Sequence, residues 1–292
     1  MSEFSHIPVL LSEVLSYLKP EEGGVFVDAT LGLAGHSLAA LTAAKEAGTK
    51  LQLYGIDQDP SAIEIAREKL GDFPGSILIQ GNFGDYASLK IPPANAILMD
   101  VGVSSMQIDD PERGFSFMRE GILDMRMDPS NGVTASTIVN TWPEYQLANL
   151  IYQFGEERLS KKIASAIVKR RKKEPFWKTL DLAWVISEQY PPMLRNKHPH
   201  PATRTFQALR IEVNRELDVL EKGIKEAYAG LAPGGRLAVI SFHSLEDRLV
   251  KYVFRDLGGK VLTSKPVVAT EDEQRENPRS RSAKMRVIEK VG

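Results

Sequence analysis

Four short apolar runs mark the first hundred or so residues, at 25–28, 51–56, 76–80 and 94–100, and apolar side chains recur between them at helical spacing. Runs this short read as strands, and their nearly continuous apolar character predicts burial on both faces. Asp59 and Pro60 supply an N-cap and a first-turn proline for the stretch that carries Ile63, Ala66 and Leu70. Strand and helix alternating in this order predict an α/β fold, a parallel sheet with helices on both faces.

After Asp100 the rhythm breaks. A loop-rich stretch to about residue 133 leads into helical patterns: one opened by the capping box Thr141-x-x-Glu144, one across residues 158–173 and one over 180–188. No alternating strand pattern occurs there, so residues 109–204 are expected to form an inserted, mainly helical second domain for substrate recognition, with 1–108 and 205–292 forming the sheet domain. Phe206, Leu209, Val213, Leu217, Leu220, Ile224, Ala227 and Leu231 recur at steps of three and four and predict one long amphipathic helix returning to the sheet. Pro233-Gly-Gly235 is expected to end that helix, with a fifth strand over 236–242 and a helix capped by Ser244. Two late strands, near Val261 and over 286–289, flank the polar stretch 270–283, which is expected to be a mobile loop.

Candidate chemistry gathers at the ends of the strands, where open α/β sheets bind their ligands. Gly32 and Gly35 permit a tight turn after the first strand, and Asp57, ending the second, follows Gly35 by 22 positions. That spacing suits a carboxylate facing ribose hydroxyls. The three-glycine dinucleotide pattern and the phosphate-cradling lysine loop are both missing, so a nucleoside cofactor without phosphate fits better, and S-adenosylmethionine is the common one. The third and fourth strands end in Gly81-Asn-Phe83 and Asp100-Val-Gly-Val-Ser-Ser105. Phe83 can stack on a purine or fill the core.

The chain has no cysteine, which removes thiolate nucleophiles, iron-sulfur clusters and the usual structural zinc sites. His198 and His200 form no metal-ligand spacing, so no metal is expected. Without a signal peptide or an apolar span the expected compartment is the cytoplasm, with no membrane partner. Net charge is only −1, yet residues 158–173 hold eight basic side chains and no acidic one. Lys161, Lys162, Lys169, Arg170, Arg171, Lys172 and Lys173 therefore form either a solvated helix face or an RNA phosphate-contacting patch.

Motifs running nearly the length of the chain resemble the RsmH (MraW) family of bacterial small-subunit ribosomal RNA methyltransferases. They are His6-Ile-Pro-Val-Leu-Leu-Ser-Glu13, Asp28-Ala-Thr-Leu-Gly-Leu-Ala-Gly-His-Ser37, Gly55-Ile-Asp-Gln-Asp-Pro60, Asp100-Val-Gly-Val-Ser-Ser105, Arg113-Gly-Phe-Ser-Phe117, Leu123-Asp-Met-Arg-Met-Asp128, Asn214-Arg-Glu-Leu217, Pro233-Gly-Gly-Arg-Leu237, Ile240-Ser-Phe-His-Ser-Leu-Glu-Asp-Arg248 and Asn277-Pro-Arg-Ser-Arg-Ser-Ala-Lys284. The resemblance implies a class I methyltransferase (Rossmann-like) fold and transfer of a methyl group from S-adenosylmethionine to a cytidine N4 in the decoding region of 16S ribosomal RNA, within the small subunit. It sets the cofactor against Ala34, Gly35, His36, Asp57, Phe83, Asp100 and Gln107. Ala34 stands where the family pattern leads us to expect glycine, and Met106 where it has proline. Asp100 is the expected catalytic residue, with Ser104, Ser105 and His243 as candidates for orienting the base; Ser104 and Ser105 also read as capping residues. A DNA amino-methyltransferase and a non-catalytic, cofactor-dependent RNA-binding regulator remain open, and a homodimer is compatible with the sequence.

Overall fold

The structure, a computed structural model, describes residues 7–130, 132–195 and 199–292, and of Ser105 and Met106 the backbone alone. The expected contributions of the Ser105 and Met106 side chains, and His198, lie outside the described residues. The chain divides into two compact units, Met1–Gly102 with Leu217–Gly292, and Val103–Glu216.

In the first unit α1 (Leu11–Leu18) precedes β1 (Gly24–Asp28), α2 (Gly35–Glu46), β2 (Leu51–Asp57), α3 (Pro60–Lys69), β3 (Ile77–Gln80) and β4 (Ala94–Asp100). Each strand lies within one residue of its apolar run. Alternate side chains enter two separate cores: Phe26 and Leu98 pack with α1 to α3 on one face, while Val27, Ile97 and Met99 pack on the other. Burial on both faces is why these strands read as unbroken apolar runs. Asp59 caps α3, accepting from the Ser61 amide at 3.0 Å.

The second unit contains α4 (Ser105–Asp109), α5 (Ala135–Thr141), α6 (Glu144–Gly155), α7 (Ser160–Arg171), α8 (Thr179–Ser187) and α9 (Thr203–Asn214). Its core is built from Ile138, Leu147, Ile151, Ile163, Ile167, Leu182, Phe206 and Leu209. The expected Thr141 capping box does not form. Thr141 ends α5, its hydroxyl donates to the Thr137 carbonyl at 2.7 Å, and Pro143 precedes α6 with no side-chain cap.

The expected long return helix is two helices. Arg215 takes a left-handed φ of 49° between α9 and α10 (Glu216–Ala229). The apolar stripe runs on across this break because its two halves serve different cores: Phe206 and Leu209 the second unit's, Leu220, Ile224 and Ala227 the first unit's. The units thus change over at 102/103 and 216/217, whereas the sequence suggested 108/109 and 204/205.

The chain completes the sheet with β5 (Leu231–Ser241), α11 (Ser244–Asp256), β6 (Lys260–Val261), α12 (Glu271–Glu276) and β7 (Lys284–Glu289). Pro233-Gly-Gly235 lies inside β5 instead of ending the helix, and a Cβ on Gly235 would come within 2.7 Å of the Ala94 carbonyl oxygen. The segment expected to be a mobile loop is ordered as α12 and a following 3-10 turn. Thr270 caps α12, Glu273 accepts from the Leu10 amide at 2.8 Å, and Asn277 donates to the Ile7 carbonyl at 3.0 Å. Strand order is β3-β2-β1-β4-β5-β7-β6, parallel except where β7 runs antiparallel to both its neighbours. This is the class I methyltransferase arrangement. Among the described residues, no helix is long and apolar enough to cross a membrane.

Candidate active site

Strand order reverses between β1 and β4, and the crevice at such a point lies beyond the carboxyl ends of the strands. Three neighbouring strands there end in aspartate: Asp28 on β1, Asp57 on β2 and Asp100 on β4. Burial pushes each carboxyl from 3.8 up to about 6. Sequence reasoning singled out Asp57 and Asp100 but not Asp28, although Val-Phe-Val-Asp28 repeats the signal of Tyr-Gly-Ile-Asp57 and Ile-Leu-Met-Asp100.

Asp28 supports the turn from beneath. It accepts from the Ser37 hydroxyl at 2.7 Å and from the Thr30 amide at 3.3 Å, hydrogen bonds that favour its charged form but do not offset its desolvation. A raised folded pKa contributes stability that is full below the unfolded value of 3.8 and lost as pH rises through about 6. At about 1.4 kcal/mol per pH unit this amounts to roughly 3 kcal/mol. Asp28→Asn should therefore unfold at a higher temperature than wild type above pH 7, without cofactor, and match it near pH 4. Thermal unfolding at the two pH values checks this, and equal melting at pH 8 would contradict it.

The turn itself uses left-handed backbone at Gly32, φ 48°, and at Ala34, φ 56°. The Gly32 amide donates to Asp57 Oδ2 at 2.8 Å, and Asp57 Oδ1 accepts from the Asp59 amide at 2.9 Å. Ala34 is fully buried in a conformation that favours glycine, which gives its departure from the family pattern a backbone meaning. Gly35 opens α2, and a Cβ there would meet Pro8 Cγ at 2.6 Å. Its missing side chain makes room for the protein's own N-terminal segment.

Asp100 is held through its amide, which donates to Thr30 Oγ1 at 2.6 Å. Its Oδ2 lies 3.9 Å from His36 Nδ1, while its Oδ1 is buried and makes no hydrogen bond. Besides desolvation, the Asp28 and Glu246 carboxyls raise its pKa, and His36 and the Arg279 guanidinium lower it. A buried acceptor without a donor is costly unless a ligand supplies one. S-adenosylmethionine carries an ammonium, a sulfonium and two ribose hydroxyls. An orphaned carboxylate oxygen, the neighbouring acidic groups that raise its pKa and a strand-end aspartate beside a glycine turn fit that donor set.

Phe83 opens the 3-10 turn after β3 and is half-buried, with room beside it because a Gly223 Cβ would lie 2.5 Å from its Cδ2. Asn82 caps this turn, accepting from the Gly84 amide at 2.8 Å and donating to Gln58 at 3.1 Å; sequence reading included it in Gly81-Asn-Phe83 but gave a role there to Phe83 alone. His243 is the N-cap of α11, the place expected for Ser244. Its ring accepts from the Glu246 amide, and buried Glu246 in return accepts from the Phe242 and His243 amides at 2.8 and 3.2 Å. Ala34, Gly35, His36, Asp57, Phe83, Asp100 and His243 all lie in the first unit.

Ser104 and Gln107 lie in the second unit, where they cap α4 reciprocally: the Ser104 amide donates to Gln107 Oε1 at 3.1 Å, and the Gln107 amide to Ser104 Oγ at 3.3 Å. On α7 and beyond it, the basic side chains divide. Arg171 donates to the Val139 carbonyl at 2.7 Å, Arg170 pairs with Glu174 at 2.8 Å, and Lys162 donates to the Gln189 carbonyl at 2.7 Å. Lys161, Lys169, Lys172 and Lys173 are exposed.

Residues 3–291 match the model of the MraW methylase family. A relative from Pelobacter propionicus, named ribosomal RNA small subunit methyltransferase H, is 47% identical with all of both chains covered. Relatives of the same name from Deinococcus radiodurans and Trichormus variabilis are 51% and 47% identical, covering 99% and 98% of this chain and 90% and 92% of theirs. The chain thus belongs to the MraW methylase family, with S-adenosylmethionine as its methyl donor.

Proposed function

We propose that this protein transfers the methyl group of S-adenosylmethionine to the N4 amine of a cytidine in the decoding region of 16S ribosomal RNA, presented within the small ribosomal subunit. Its relatives' shared name supports ribosomal RNA of the small subunit as the substrate class. The observation that carries the amine reading is the unpartnered, buried Asp100 Oδ1 at the end of β4. The lone pair of cytosine N4 is delocalised into the ring, so the nitrogen becomes a useful nucleophile only when acceptors hold its hydrogens and favour a pyramidal geometry. Asp100 Oδ1 and the carbonyls of Val101 and Gly102 are the acceptors assigned to that task. Asp28, Asp57 and the Gly32 turn position the donor, and the target base must leave its stack to be reached.

Labelled methyl transfer to purified small subunits, followed by nucleoside digestion, tests the reading. N4-methylcytidine is expected. Transfer to duplex DNA instead would favour a DNA amino-methyltransferase, and cofactor binding without transfer would favour a regulator.

The second unit is assigned the RNA backbone. Since Arg170, Arg171 and Lys162 are engaged within the protein, the phosphate contacts are assigned to Lys161, Lys169, Lys172 and Lys173. Changing these four to glutamine should weaken RNA binding and lower the slope of log affinity against log salt by up to about 3.6, at roughly 0.7 to 0.9 per lost phosphate contact. Cofactor affinity should not change. A salt series on wild type and variant measures this, and superimposable lines would identify a solvated helix face.

A further inference from the structure

His36 belongs to the expected cofactor contacts, yet the protein itself fixes its ring in a way that role does not require. Nε2 lies 2.9 Å from the Val9 carbonyl oxygen in a buried hydrogen bond. A carbonyl can only accept, so Nε2 carries a hydrogen whether the ring is neutral or charged. Gain and loss of a proton are thereby confined to Nδ1, the nitrogen facing Asp100 Oδ2 at 3.9 Å.

The carbonyl that selects this tautomer is itself held from both sides. Asn277 donates to the carbonyl of Ile7, and Glu273 accepts from the amide of Leu10. Leu10 is fully buried at a left-handed φ of 55°, and Pro8 occupies the space that a side chain on Gly35 would fill. The motif beginning at Asn277, to which the methyl-transfer reading gives no task, thus helps hold the strap that orients His36.

Resting on the assignment of an amine as the methyl acceptor, we propose that His36 is the proton-accepting partner of Asp100, taking up at Nδ1 the proton released by the target nitrogen. The methyl carbon bonds to the nitrogen as its bond to sulfur breaks, and that electron pair stays on sulfur. The nitrogen then holds one proton too many. Asp100 Oδ1 accepts it, the N–H electron pair staying on nitrogen; a half-turn about Cβ–Cγ brings the proton opposite Nδ1, and once the 3.9 Å separation closes to hydrogen-bond reach, transfer to His36 restores the carboxylate. One positive charge is lost at sulfur and one appears on the imidazole, so the charge of the site is conserved. Asp28, Glu246 and Arg279 also face Asp100 and remain unchanged in the variants below.

Imidazole NMR on the protein without cofactor or RNA tests the pairing directly. Neutral His36 should be the Nε2–H tautomer, and its Nδ1 resonance should move in Asp100→Asn, which removes the facing carboxylate. The other tautomer, or an unmoved Nδ1 resonance, overturns the proposal. His36→Gln keeps an amide donor for the Val9 carbonyl but cannot store the proton. At saturating cofactor its turnover should fall about 10- to 100-fold, and the wild-type pH profile should lose one ionisation. Calorimetric cofactor affinity should stay within about threefold. A profile of unchanged shape with weakened cofactor binding would return His36 to a cofactor contact. Methylation at a position other than an amine would instead refute the acceptor assignment while leaving the NMR coupling intact.

Discussion

Asparagine in place of Asp100 is expected to lower turnover at saturating cofactor by about 10²- to 10⁴-fold, the usual contribution of a positioned proton acceptor. The substitution keeps the shape of the side chain and leaves the amide that donates to Thr30 Oγ1. What it removes is the buried Oδ1 as a basic acceptor. Saturating cofactor separates two roles for that oxygen. If Asp100 only binds the donor's ammonium, excess cofactor restores turnover; if it takes the proton of the target amine, it does not. Folding can be checked independently, because burial raises the Asp100 pKa to about 6. The ionised group therefore costs stability above that pH, and the variant should melt no lower than wild type at pH 8. Single-turnover methyl transfer to small subunits is the measurement, and a rate within about threefold of wild type would assign Asp100 to binding alone.

How much of this site was legible in the sequence depends on whether its partners are local. The four parallel strands were legible because burial on both faces leaves an unbroken apolar run, and the aspartates ending β2 and β4 stand out against such runs. Where partners are remote, the reading failed. Residues 270–283 carry no apolar stripe, and their order rests partly on Ile7 and Leu10, more than 260 positions away. The break at Arg215 left no mark in the periodicity, since α9 and α10 both bury the same kind of face in different cores. Gly35 read as a ligand-side glycine, and nothing in its local sequence signalled that its missing Cβ also makes room for Pro8. His243, a candidate for orienting the base, also carries a structural task the sequence did not show, as the N-cap of α11. In the basic run, residue type could not distinguish Arg171, spent on the Val139 carbonyl, from the exposed lysines around it.

Asp57→Ala should weaken S-adenosylmethionine binding by about 1.5 to 3 kcal/mol, the range for hydrogen bonds to a charged group, or roughly 10- to 150-fold in Kd. Both carboxylate oxygens already accept backbone amides, from Gly32 and Asp59, yet each has a second lone pair, so Asp57 can hold the turn and still receive two ribose hydroxyls. Alanine removes both functions, whereas Asp57→Asn keeps one oxygen and should fall between alanine and wild type. The pH dependence distinguishes ribose binding from mere support of the turn. Because burial raises this carboxyl to about 6, wild-type affinity should decline as pH falls through that value and the stronger, charged acceptor is lost. Neither variant has a carboxyl at this position to titrate, so both should lack that decline. Calorimetric titrations near pH 5.5 and pH 8 measure all of this, and an alanine variant that binds within about twofold of wild type at pH 8 would remove Asp57 from the ribose site.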